Sequence, residues 1–268
     1  MARMVKDLAH RAKLPSDTAG LPDRQSAQRA ALPSILAAHQ LYLETEHREG
    51  ERADLRGFDL SGMAFAGIDL RGARMSKARL DGSDWSGAIL RHANLTGASL
   101  RRACLRDADL SMARLSGAHL AKADLSGARL VQAEMEFALL VEARLAGAHL
   151  RNADLSGANL DGADLTGVDL QRANLRGAGL RSARLDGADL RQARLGGAIL
   201  SGASLCYADL EGAYLRVARL DGADLSGADL LGSIGLTTAQ ISGARSDHRT
   251  RLPIDLMPID PNDGCGNG

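Results

Sequence analysis

From Leu55 to Leu230 every fifth residue is large and apolar, without a single phase slip. Of these 36 positions 32 are Leu, the exceptions being Phe65, Met75, Trp85 and Met135, and two residues earlier stands Ala in 31 cases. Phe58, Met63, Ile68, Ser83 and Val168 fill the other five. Two residues after the Leu position stands Gly in 21 cases. A period of five fits neither the 3.6 of a helix nor the 2 of a strand, so an amphipathic helix is excluded throughout this region. Ala and Leu, two apart, share one face of an extended backbone, and the residue between them points outward. The next two residues, commonly Ser-Gly, Asp-Gly or Arg-Gly, have the chemistry of a tight corner. The pattern predicts a chain coiled around a narrow Ala and Leu core, each coil stacked on the last by backbone hydrogen bonds.

Ala153-Asp154-Leu155-Ser156-Gly157 and Ala163-Asp164-Leu165-Thr166-Gly167 resemble the pentapeptide-repeat family, whose pattern is Ala, then Asp or Asn, then Leu, then two variable residues. The resemblance extends over residues 53–232. It implies an all-β fold, a right-handed quadrilateral β-helix of twenty residues per coil and hence about nine coils. Its inward core includes Leu55, Phe65, Trp85, Leu95, Leu155 and Leu195. With that coil length Asp124, Arg144, Asp164 and Arg184 alternate in sign down one column, as do Asp161 with Arg181 and Asp81 with Arg101. Each facing pair is worth about 0.2–1 kcal/mol.

A solenoid exposes two open ends, so helical caps are expected. Residues 32–52 are assigned to an N-terminal cap, its helix opened by Pro33, faced by Ile35, Leu36, His39, Tyr42 and Leu43, and closed by Gly50. Residues 233–251 form the C-terminal cap, where Thr237 to Gln240 reads as a capping box. Residues 1–31 and the Pro-, Asp- and Gly-rich 252–268 are expected to lack fixed structure.

Composition narrows the function. Thirty-three basic residues balance thirty-three acidic ones, so bulk charge gives no support for direct nucleic-acid binding. No run of apolar residues reaches membrane-spanning or signal-peptide length, which predicts a cytoplasmic chain without membrane insertion. Cys104, Cys206 and Cys265 are too few and too scattered for a disulfide framework or a zinc site. Ala and Leu filling the interior leave no room for substrate, and His92, His119 and His149 do not recur at coil spacing with other ligands. No catalytic, cofactor-binding or metal-binding residue is therefore assigned. Asp169, Asp189, Asp209 and Asp229 stack as four carboxylates; the favoured role is bonding to backbone N–H groups at turns, with Arg172 and Arg191 as neutralising partners.

Two exposed features point to binding. Val131, Phe137, Leu139 and Val141 are apolar where other units carry charge or Gly, and Phe137, Leu139 and Val141 are expected around one corner as a patch for a protein partner or a second copy of the chain. Arg79, Arg91, Arg101, Arg102 and Arg106 form a candidate basic patch in residues 53–152, where 14 basic residues outnumber 11 acidic; residues 153–232 reverse this, 8 against 11. The expected function is a non-enzymatic protein-binding or scaffold solenoid. The family resemblance supplies an alternative, since a subset resembles duplex DNA and inhibits or protects type II topoisomerases such as gyrase, conferring resistance to gyrase poisons. Duplex DNA over roughly 38 Å, eight steps at strand spacing, carries about 22 phosphate charges. The solenoid's 22 acidic residues are matched by 22 basic ones, which disfavours mimicry.

Overall fold

A single repeat shows why the chain coils. In a computed structural model describing residues 23–256, the carbonyl of Leu155 accepts from the Ala158 N–H at 3.0 Å, closing a four-residue turn over Ser156 and Gly157. At all 36 corners the residue two after the Leu position has φ between +53 and +70°. This is the turn class that requires a positive φ at its third residue, and it explains why one register holds 21 of the glycines. The backbone then runs straight for three residues. Leu155 N–H donates to Asn174 O, Gly157 N–H to Arg176 O, and Asp154 N–H to Ala133 O. The N–H of Ser156 reaches no neighbouring coil; it donates to the Asp154 carboxylate at 2.9 Å. The Asp or Asn before Leu thus supplies the acceptor that the ladder leaves out.

Parallel bridges join residues twenty apart, from Asp54↔Arg74 to Tyr214↔Ile234. Four repeats complete one circuit, giving four sides. Side I carries the column from Asp54 to Ile234, side II that from Asp59 to Arg219, side III that from Ala64 to Asp224, and side IV that from Asp69 to Asp229. The Ala and Leu positions face inward and form one continuous core; Leu55, Phe65, Trp85, Leu95, Leu155 and Leu195 are all fully buried. Each such Leu contributes about 2 kcal/mol of burial.

Helix α1, Asp23–Glu44, lies on the first coil. It starts ten residues earlier than the sequence pattern predicts, so Pro33 lies inside it and residues 23–31 are helical; the rest of the expected unstructured segment, 1–22, falls outside the described residues. Proline in a helix interior costs about 3 kcal/mol. Tertiary contacts offset that cost: Leu32 and Leu36 are buried in the solenoid core, Gln25 donates to Asp59, and Gln28 both accepts from the Asp59 N–H and donates to Gly57 O. Gly50, at φ +74°, lets the chain leave α1, because a Cβ there would lie 2.3 Å from Ala38 O.

At the other end α2, Thr238–Ser242, begins with the reciprocal bonds of Thr237 and Gln240. The Gln240 amide also donates to Leu215 O and Ala218 O. The ladder does not stop at Leu230. Asp224↔Arg245 and Asp229↔Arg251 continue two sides across the inserted helix, with registers of 21 and 22. Residues 252–256, expected within a structureless tail, are instead seated on the end: Leu252 and Leu256 pack against the core, Pro253 is buried, and 254–256 form a 3-10 turn. Residues 257–268, including Cys265, lie outside the described residues.

Candidate interaction face

The twenty-residue circuit decides which outward residues meet. Phe137 occupies the corner between sides I and II, Leu139 the middle of side II, and Val141 the corner between sides II and III. The three therefore cross one whole side, whereas the sequence reading put them around one corner. Val131 falls on the corner between sides IV and I, diagonally opposite Val141, and does not join them. Phe137 is 70% exposed and Leu139 38%, while Val131 and Val141 are half-buried.

The corner column holding Phe137 continues through Gly157, Gly177 and Gly197 to Val217, which is 72% exposed. The Phe137 ring lies over Gly157, where a Cβ would approach it to 2.6 Å. Beside this column, side II runs Leu139, Asn159, Gly179, Ile199, without a charge. The corner floor of Gly157, Gly177 and Gly197 thus has a bulky apolar residue at each end, while on side II the Asp161 carboxylate leans over Gly179, 2.9 Å from where a Cβ would stand. Both end residues are left-handed, Phe137 at φ +56° and Val217 at φ +53°. A left-handed L-residue costs about 1–2 kcal/mol, most for a β-branched one, and exposure returns nothing for it. Val217 is the one β-branched residue among those left-handed positions. The sequence reading missed Val217 and Ile199; the legible signal was a valine standing where the repeat favours Gly.

The basic patch does not assemble. Arg79 is on side II, Arg101 and Arg102 on the corner between sides II and III, Arg106 on the next corner, and Arg91 on the corner diagonally opposite Arg101. Arg79 pairs with Asp59 at 3.3 Å and Arg91 with Asp109 at 3.3 Å. The guanidinium of Arg101 meets His119 at 3.1 Å rather than Asp81, whose carboxylate takes the Arg101 backbone N–H and the Ser99 hydroxyl. Elsewhere Arg181 pairs with Asp161 at 3.2 Å and Arg184 with Asp164 at 3.8 Å, whereas Arg144 acts on Asp124 and Asp164 only through its charge.

Each of the four stacked carboxylates of side IV has an arginine partner, one arginine being shared between two of them. Arg151 reaches Asp169 at 3.3 Å, Arg191 reaches Asp189 at 2.6 Å and Asp209 at 3.5 Å, and Arg251 reaches Asp229 at 2.5 Å. Arg172 is not among these partners; it donates to Gln192. Burial pushes the Asp189 carboxyl upward, but hydrogen bonds from the Arg191 side chain and backbone and from Gln171 outweigh it and leave the group below the ordinary carboxylate range. Among the described residues no three His, Cys, Asp or Glu side chains come together as a metal site, Cys104 and Cys206 are unpaired, and no helix is long and apolar enough to cross a membrane.

A stack of four-sided coils around a filled core defines a repeat solenoid. The profile of pentapeptide repeats matches eight copies across residues 51–84, 73–111, 108–145, 138–177, 158–197, 183–216 and 198–234, and the chain belongs to the pentapeptide-repeat family. Proteins of this family adopt a right-handed quadrilateral β-helix and are typically non-enzymatic. Among solved structures the chain is similar to HetL, a pentapeptide repeat protein involved in heterocyst differentiation regulation from the cyanobacterium Nostoc sp. strain PCC 7120. The identity is 36%, over 80% of this chain and 94% of that one, with a TM-score of 0.40. It is also similar to QnrB1, a plasmid-mediated fluoroquinolone resistance protein, at 20% identity over 69% of this chain and 89% of that one, TM-score 0.49. A pentapeptide repeat protein of the Arabidopsis thaliana thylakoid lumen is 36% identical over 41% of this chain and 70% of its own, TM-score 0.26. No curated protein matches.

Proposed function

We propose that this protein is a non-enzymatic scaffold, a solenoid of nine coils closed by α1 and by residues 233–256, which binds another protein surface through side II and its Phe137–Val217 corner. The observation that carries the reading is the pair of exposed, left-handed apolar residues bounding the glycine corner of Gly157, Gly177 and Gly197. Nothing in the fold requires Phe or Val there, since glycine would relieve the backbone at both positions. Rigid apolar knobs beside a flat backbone floor suit a partner with a complementary ridge.

The topoisomerase-directed alternative needs a net negative rod. The carboxylate column Asp169 to Asp229 is offset by Arg151, Arg191 and Arg251, three cations against four anions, which favours the scaffold reading.

Light scattering on the wild type and on Phe137→Ser, Leu139→Ser, together with affinity capture on immobilised protein, tests this. A dimer that becomes a monomer in the variant identifies a second copy as the partner. A wild-type monomer whose captured protein is lost in the variant identifies a different one. Capture and mass both unchanged in a folded variant sink the assignment of this face, and capture of gyrase subunits by wild type and variant alike moves the reading to the alternative.

A further inference from the structure

The column on side I departs from the alternation of charge that side III keeps from Asp124 to Arg184. It runs Asp54, Arg74, Asn94, Arg114, Glu134, so the two arginines flank a neutral residue. Each pairs with the carboxylate on its outer side, Arg74 with Asp54 at 4.0 Å and Arg114 with Glu134 at 3.2 Å, and no carboxylate stands between them. By contrast Asp124, Arg144, Asp164 and Arg184 place a carboxylate between the arginines. Two rungs separate Arg74 from Arg114, about 9–10 Å, which leaves room above Asn94 for one anionic group.

A cleft of about 340 Å³ opens at this point, lined by Arg52, Arg56, Arg74, His92, Asn94 and Arg114 among others, and no carboxylate lines it. Arg52 reaches it by crossing over Gly72, with its guanidinium 3.7 Å from where a Cβ would stand. Among the described residues Arg52 makes no ion pair or hydrogen bond. A second cleft of about 390 Å³ shares Arg52, Gly72 and His92 and adds Arg71, Arg91 and His47, again without a carboxylate. Arg56 and Arg71 are committed to Asp54 and Asp69, and Arg91 to Asp109. The uncommitted donors are Arg52 and the N–H groups of Arg74 and Arg114 that their carboxylates leave over.

We propose that this cleft binds the phosphoryl group of a small soluble ligand, seated over Asn94 between Arg74 and Arg114 and capped by Arg52. Donors approach the seat from both neighbouring rungs and from the corner. A tetrahedral oxyanion, with acceptor oxygens in every direction, meets all three, whereas a planar carboxylate satisfies one fork. The bound anion supplies the negative charge that Asp164 supplies in the intact column.

Asn94→Asp is the informative variant, because its carboxylate fills the gap while keeping the acceptor that Asn94 Oδ1 offers to the Thr96 N–H. Calorimetry and thermal melts with sodium pyrophosphate, at ionic strength matched with sodium chloride, are run on wild type, Asn94→Asp, Arg52→Ala and the remote control Arg176→Ala. The wild type and Arg176→Ala are expected to bind one pyrophosphate and gain thermal stability from it. Arg52→Ala and Asn94→Asp should bind at least tenfold more weakly, and Asn94→Asp should melt higher than wild type without ligand. Absence of saturable binding, undiminished binding by Asn94→Asp, or equal protection by sodium sulfate overturns the assignment.

Discussion

The indole Nε1 of Trp85 donates to the Ser83 hydroxyl at 2.6 Å inside the sealed core, and the Ser83 hydroxyl in turn donates a hydrogen bond to Leu80 O. Ser83 is an exception to Ala, and Trp85 an exception to Leu, in the same repeat. The two exceptions are one arrangement: a buried indole needs an acceptor, and the buried hydroxyl two residues before it provides one. Trp85 also stacks on Phe65 one coil earlier, with centroids 4.3 Å apart. Ser83→Ala, which restores the repeat, should therefore destabilise the protein by about 1–3 kcal/mol by orphaning the N–H. Chemical denaturation checks this, and in Trp85→Leu the same Ser83→Ala change should cost nothing.

Acid should loosen the coils over a defined range. In Asp124, Asp154 and Asp164 burial raises the pKa, but hydrogen bonds from the hydroxyl and backbone N–H two residues on, joined by nearby arginines, bring each below its ordinary value. A carboxyl depressed in the folded state lends stability that is complete above its unfolded pKa of about 4 and is lost as pH falls through the lower folded value. Melting temperature should be insensitive to these groups near neutrality and drop steeply below about pH 4. Replacing Asp154 by Asn should shrink that drop while retaining the bond to Ser156.

The seat of α1 should respond to pH earlier. His39 is 1% exposed, its Nδ1 accepts the Ala53 N–H at 3.1 Å, and its buried Nε2 has no partner. Burial pulls its pKa down to about 4, with Arg52, Arg71 and His47 lowering it further and Asp69 opposing. The folded value lies below the unfolded one, so this contribution is whole above about pH 6.5 and is lost between there and pH 4, up to roughly 3 kcal/mol. Hydrogen exchange of α1 amides should accelerate across that interval, ahead of the repeats. His39→Asn, which offers an oxygen in place of Nδ1, should flatten the dependence; an unchanged profile would place its origin elsewhere.

Relief of backbone strain should separate stability from binding. Val217→Gly and Phe137→Gly remove left-handed side chains that bury little, and each should raise stability by up to about 1 kcal/mol. Both should weaken capture of the partner proposed for side II. Gly157→Ala should do the reverse to the fold, because its Cβ meets the Phe137 ring at 2.6 Å at a φ of +65°. Part of that loss should return in the double variant with Phe137→Ser, read as a coupling energy in a denaturation cycle.

The core itself admits no charge. Leu155→Asp places an unpaired carboxylate among fully buried Leu and Ala, and a loss of several kcal/mol follows from desolvation. Circular dichroism and thermal melts should show a lower or split transition; an unaltered melt would contradict the inward assignment of that position.

The repeat itself was legible in the chain because a five-residue unit leaves little choice. Ala and Leu two apart can share a side only on extended backbone, and Gly at the following corner marks the positive φ that every corner adopts. The role of Asp before Leu was readable for the same reason, since its partner is the N–H two residues on, a local contact. Whatever depended on circuits was decided in three dimensions. Phe137 and Val217 are eighty residues apart and share a column only because each circuit takes twenty. Val131 and Val141, ten apart, are sent to opposite corners by that same circuit. The start of α1 ran against local propensity at Pro33 because Leu32 and Leu36 gain burial on a coil formed later in the sequence. The gap at Asn94 is likewise invisible along the chain: its flanking charges come from one circuit before and one after, and only stacking brings Arg74 and Arg114 to either side of it.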